Sequence, residues 1–131
     1  MAILKLPTST AAASTSLEDW GTVGLPLSEP SCRLRGTRIA VGGAGSPEVG
    51  IWECSPGRFR RQVRNAEAIH VISGAAVFTP DDGPAVRLTA GDVLHFEAES
   101  MGVWDIETAM RKLYVLFTPV EGVDASASQR E

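Results

Sequence analysis

Glu67-Ala68-Ile69-His70-Val71-Ile72-Ser73-Gly74 is the stretch of this sequence that decides its fold. A glutamate opens a run of apolar, largely β-branched residues and a glycine closes it, which reads as a short strand ending in a turn. Strand alternation sends Glu67 and His70, three positions apart, to opposite faces. Farther along, Gly91-Asp92-Val93-Leu94-His95-Phe96 places a second glycine turn before a second apolar strand.

Outward from these segments the β pattern continues. Strands are expected over residues 38–41, 48–54, 58–63, 67–72, 75–79, 85–89, 92–97, 101–106 and 111–118, each short, rich in Val, Ile, Phe or Trp, and bounded by Gly, Pro, Asp or Ser. Pro80-Asp81-Asp82-Gly83-Pro84 is a strong turn signal, because proline presets φ, aspartate bonds its own backbone and glycine accepts positive φ. Ser55-Pro56-Gly57 and Ala90-Gly91-Asp92 mark two further breaks. Regular short strands with such punctuation predict an all-β sandwich or barrel. Upstream, residues 17–20 are expected to form one short turn and residues 28–31, with Pro30, a loop. Residues 1–16 form an expected flexible arm, residues 17–118 the domain, and residues 119–131 a loose tail.

A chain of 131 residues suits one domain, and its 13 glycines and 8 prolines favour many short elements over a helical bundle. The net charge of −4 argues against nucleic acid as partner. Arg58, Arg60, Arg61 and Arg64 form a local basic patch, read mainly as a solvated strand face. Two cysteines, Cys32 and Cys54, make neither a disulfide framework nor a complete zinc site. The first residues lack the build of a signal peptide, and no run approaches the ~18 apolar residues of a membrane span. A cytoplasmic protein without membrane or nucleic-acid partners is expected.

The residues already quoted, together with Gly50-Ile51-Trp52-Glu53-Cys54-Ser55-Pro56-Gly57, Trp104-Asp105-Ile106-Glu107 and Arg111-Lys112-Leu113-Tyr114, resemble a known family. They are similar to the small single-domain cupins grouped with ureidoglycine aminohydrolase and the ethanolamine-utilisation cupins, over roughly residues 17–118. The resemblance implies a double-stranded β-helix, a jelly-roll barrel with a ligand cavity at its centre. It also implies a homodimer joined through sheets and swapped N-terminal segments, making residues 17–42 the candidate crossing segment.

In metal-binding cupins, two histidines precede the glutamate and a third follows the second motif. Carried onto this chain with one residue of slack, those positions hold Arg61, Val63 and Gly102, none of which replaces an imidazole. No tightly bound metal is therefore expected. Where the family continues to Pro-x-Gly, this chain has Glu97-Ala98-Glu99, read as drift on an exposed loop or as a pair of carboxylates at the cavity mouth.

The cavity is expected to be lined by other groups. Glu67, His95, Lys112 and Tyr114 are the candidate catalytic residues, with His95 as a proton carrier. Trp52, Cys54, Arg61 and Trp104 are the candidate ligand-binding residues. An inward Glu67 needs compensation, and Arg61 is its expected partner, either as a structural ion pair or as a guanidinium for a carboxylate ligand. Lys112 has the alternative of sitting near the mouth with Glu107 or Asp105, and Cys54 that of a small buried hydrophobe. The expected function is binding of a small organic molecule, with metal-independent acid–base chemistry of isomerase, cyclase or lyase type. Two alternatives stand beside it: a non-catalytic ligand-binding or accessory module acting as a dimer, and an aminohydrolase-like metalloenzyme using Glu67, His95 and Glu97.

Overall fold

The computed structural model describes residues 17–39 and 47–117, and these form eight strands. They are β1 (Glu18–Thr22), β2 (Arg33–Ile39), β3 (Glu48–Cys54), β4 (Gly57–Arg61), β5 (Glu67–Pro80), β6 (Val86–Thr89), β7 (Val93–Phe96) and β8 (Gly102–Leu116). All pair antiparallel in the order β1-β2-β3-β8-β5-β6, with β4 added to β8 and β7 to β5.

The two long strands β5 and β8 form the spine, pairing from Glu67↔Leu116 to Pro80↔Gly102. At one end β3 joins β8 along residues 110–116 and β7 joins β5 along residues 67–70. At the other end β4 joins β8 along residues 102–106 and β6 joins β5 along residues 75–78. The inward side chains of both ends meet in one cluster that includes Leu34, Trp52, Phe59, Ile69, Val71, Phe78, Leu88, Phe96, Trp104, Ile106 and Met110. The sheet is thus folded over on itself, and one apolar core lies between its two layers. This is the all-β jelly roll expected from the sequence.

Several expectations are corrected. Residues 17–20 are not a turn: Glu18–Thr22 pair with β2, anchored by Arg33, whose guanidinium meets the Asp19 carboxylate at 2.9 Å. Segments 67–72 and 75–79 are one strand, as are 101–106 and 111–118 up to Leu116. Gly74 does not end a strand. It adopts φ +88 inside an irregular stretch between Val71 and Ala76, where the register with β8 shifts. Within residues 17–42, Glu18–Thr22 pair with β2 and Leu34–Ile39 with β3. Residues 40–41, the arm (1–16) and the tail (119–131) lie outside the described residues. Among the described residues, no helix is long and apolar enough to cross a membrane.

Candidate functional site

The core contains three charged side chains bonded to one another. Arg61 ends β4 opposite Gly102, Glu67 opens β5, and Lys112 lies on β8 between Trp52 of β3 and Val71 of β5. Arg61, Glu67 and Lys112 are 1%, 2% and 0% exposed. Arg61 Nη2 donates to Glu67 Oε1 at 3.0 Å, and Lys112 Nζ donates to Glu67 Oε2 at 3.2 Å. Arg61 Nη1 donates to the carbonyls of Val63 at 2.6 Å and Ser100 at 2.7 Å. Three strands and the β7–β8 loop are therefore tied to one carboxylate. Desolvating these charges costs several kcal/mol per ion, so each one depends on its partners for its place in the core.

Aromatic rings enclose the cluster. The Lys112 ammonium stands 4.3 Å from the Trp52 ring centroid and 5.5 Å from that of Trp104, and the Arg61 guanidinium lies 4.4 Å over Phe96. The negative faces of the rings supply part of the stabilisation that water gives these cations outside. Phe78 packs edge-on against Phe96 at 5.1 Å and tilted against Trp104 at 5.1 Å, which fixes the far wall.

The structure thus brings five of the eight expected site residues together: Glu67, Arg61, Lys112, Trp52 and Trp104. Lys112 is not at the mouth beside Glu107 or Asp105; Glu107 instead pairs with Arg87 at 2.8 Å. Cys54 lies on the same inward face two residues from Trp52, with its thiol donating to the Ser55 carbonyl at 3.3 Å. It is buried beside Cys32, whose thiol it holds below the ordinary range through a side-chain hydrogen bond. His95 is a correction. In β7 the inward position belongs to Phe96, so His95 faces out opposite Ala68 and meets the Phe117 ring at 6.3 Å. It does not line the interior.

Tyr114 sits one inward position beyond Lys112, opposite Gly50. Its hydroxyl donates to Glu48 Oε2 at 2.6 Å, and the same oxygen accepts from Arg38 Nε at 3.2 Å. Arg38 in turn stacks 4.5 Å over Trp20. Burial, then the bond to Glu48, holds the Tyr114 phenol far above its ordinary range. It is a fixed donor rather than a proton carrier. Glu48, Arg38, Phe96 and the Ser100 carbonyl were missed from sequence. Alternation back from Trp52 through Gly50 does reach Glu48 on the inward face, so that signal was present.

The donor set does not fit a divalent metal. Both oxygens of Glu67 are engaged by cations, whose charges oppose a dication at the same carboxylate. Among the described residues, no three His, Cys, Asp or Glu side chains are grouped so as to hold one. The Glu97 and Glu99 carboxylates lie in an exposed surface groove of about 450 Å³ bounded by residues 80–82 and 97–101, where Glu99 pairs with Arg64 at 3.0 Å.

Comparison with known proteins agrees with this architecture. The model of the EutQ-like cupin domain matches residues 41–114. EutQ from Clostridium difficile superposes with a TM-score of 0.59 at 19% identity, over 70% of this chain and 75% of that one. A Salmonella typhimurium protein assigned to ethanolamine utilization gives 0.56 at 24% identity, over 68% and 72%. A protein of unknown function from Pseudomonas syringae pv. tomato gives 0.69 at 19% identity, over 76% of this chain but only 43% of that one, so this chain spans less than half its length. No curated protein matches the sequence. At these identities the structural likeness speaks for the fold. The family match covers more than half the chain and includes Glu67, Arg61 and Lys112. The chain belongs to the EutQ-like cupin family.

Proposed function

We propose that this chain binds a small organic molecule within its barrel, without a resident metal, using Arg61, Glu67 and Lys112 as the polar centre. The observation that supports this most is the engagement of both Glu67 oxygens by cations from two other strands, beneath Trp52, Trp104 and Phe96. Lys112 and Glu67 share a hydrogen bond, so a ligand reaching them meets an acid and a base at adjacent atoms. That suits proton-transfer chemistry of isomerase, cyclase or lyase type. Metal-dependent, ureidoglycine aminohydrolase-like chemistry is the less favoured reading, because both Glu67 oxygens already face cations and His95 faces outward. The proposal includes a cytoplasmic homodimer, docked through the outward face where exposed Val93 stands opposite His70, itself opposite Leu113.

The near-complete burial of the cluster favours a second reading, a non-catalytic accessory module in which the charges fasten the fold. A thermal-shift screen of small organic molecules on metal-free protein, with recovery of each hit, separates the two. A stabilising compound recovered altered supports the enzyme, and one recovered intact supports a binding module. No stabilising compound in a broad screen contradicts ligand binding altogether.

A further inference from the structure

Two thiols in the core have no role in the proton-transfer chemistry proposed for the barrel. Cys32 and Cys54 are the only cysteines of the chain, and both are 0% exposed. The ladder between β2 and β3 brings them to one place. Leu34 stands opposite Cys54; beyond that pair Ser55 N donates to the Arg33 carbonyl at 3.1 Å, and Arg33 N donates to Ser55 Oγ at 2.8 Å. Arg33 therefore faces Ser55, which leaves Cys32 and Cys54 as diagonal neighbours on the inward face. Their thiols share a hydrogen bond that holds Cys32 below the ordinary thiol range, against the opposing effect of burial. The Cys54 S–H, which meets the Ser55 carbonyl at 3.3 Å, turns to Cys32 when that sulfur is a thiolate. Cys32 lies in the connection before β2, so the movement a covalent bridge requires falls on loop backbone.

A second observation concerns access. Gly57, at φ +143, covers the Cys32 thiol, and a Cβ on it would stand 2.7 Å from both the Cys32 sulfur and the Ser28 hydroxyl oxygen. Ser28, with Pro26, Leu27 and Glu29, lines a surface hollow of about 280 Å³. The thiol is thus one residue beneath the surface, where the covering residue has no side chain. Such a site admits a molecule close to water in size and excludes bulky thiol reagents.

We propose that Cys32 is a site of oxidation by small hydroperoxides and that Cys54 resolves it, closing a reversible Cys32–Cys54 disulfide beneath the Gly57 turn. The Cys32 thiolate attacks one peroxide oxygen, the O–O bond breaks, and water leaves with the proton that Cys32 released; the sulfur becomes a sulfenic acid. The Cys54 sulfur then attacks the Cys32 sulfur, the S–O bond breaks, and the hydroxyl leaves as water with the Cys54 proton. Two thiols give up two electrons and hydrogen peroxide is reduced to two waters. This goes beyond the reading of the barrel and does not depend on what the barrel binds.

The test treats the reduced, folded full chain with a few equivalents of hydrogen peroxide at neutral pH. Free thiols are counted after unfolding in urea, and peptides are mapped by mass spectrometry with and without dithiothreitol. Wild type is expected to lose both thiols together and to yield a Cys32–Cys54 bridged peptide that dithiothreitol releases. The thiol left in Cys54→Ser should be lost within about threefold of the wild-type rate, and that left in Cys32→Ser at least about tenfold more slowly. The bridged chain should unfold at a higher urea concentration than the reduced one. Should a serine variant not fold, the wild-type peptide map decides the bridge alone. Thiols that react only once the chain is unfolded overturn the proposal, as does a bridge formed only between two copies of the chain. Oxygen accumulating on either cysteine without a bridge overturns the pairing, and faster loss in Cys32→Ser than in Cys54→Ser overturns the assignment of roles.

Discussion

Glu67 is the residue on which the interior depends, because two buried cations from other strands both bond to it. Replacing it with glutamine leaves both cations facing a neutral amide. Glu67→Gln is therefore expected to lose about 3–5 kcal/mol of unfolding free energy, whereas Lys112→Met, which keeps the Arg61–Glu67 pair, loses no more than about 1 kcal/mol. Urea denaturation of the two variants checks this, and equal losses would contradict it. Tyr114 gives a pH signature. Its folded pKa lies above the ordinary phenol value of about 10, so the unfolded chain releases the phenolic proton first. The contribution is fully present below pH ~10 and declines as pH rises beyond it. Wild type's stability advantage over Tyr114→Phe should be constant below about pH 9 and shrink progressively as pH rises from about 10 to 11, read from urea midpoints. Much of this residue-level picture was legible: the family resemblance put Arg61 on the same wall as Glu67, and the need to compensate a buried carboxylate paired them. Lys112 was not, because its partner depends on how β5 and β8 align. Nor was the outward facing of His95, which turns on whether β7 buries its odd or its even positions.

At the scale of the element, the irregular stretch around Gly74 keeps both halves of β5 facing the core. Glu67, Ile69 and Val71 point inward before it; Ala76 and Phe78 point inward after it. The inward set passes from odd to even numbers, which a regular strand cannot do and a bulge can. Sequence reading divided this strand because Ser73-Gly74 has the composition of a turn. Only the pairing of residues 67–80 with β8 throughout shows that the chain never reverses. Gly74 holds φ +88, and a Cβ there would stand 2.7 Å from the Met110 Cα. Gly74→Ala is expected to cost at least about 2 kcal/mol through strain and backbone displacement. A loss under about 0.5 kcal/mol in urea, the range of ordinary surface substitutions, would contradict this account of the bulge.

At the scale of the whole molecule, fold and activity were unequally legible. The regular spacing of short strands and their turns sufficed for an all-β sandwich or barrel, since turn chemistry and strand composition are written locally, and the family resemblance of the glutamate strand and the Gly91-Asp92 turn narrowed it to a jelly roll. The chemistry of the interior was not, because it arises from residues 45 positions apart, Glu67 and Lys112, meeting across two strands. The result is a cupin barrel centred on a carboxylate held by a guanidinium and an ammonium. Thermal unfolding of the purified chain in excess Zn²⁺, Ni²⁺ or Mn²⁺, compared with the same protein in chelator, tests this most directly. A site-bound ion at a hundredfold its dissociation constant adds about 2.7 kcal/mol to stability. The expected result is superimposable melting curves in all four conditions; a saturable, chelator-reversible rise in melting temperature with any of the ions would contradict it.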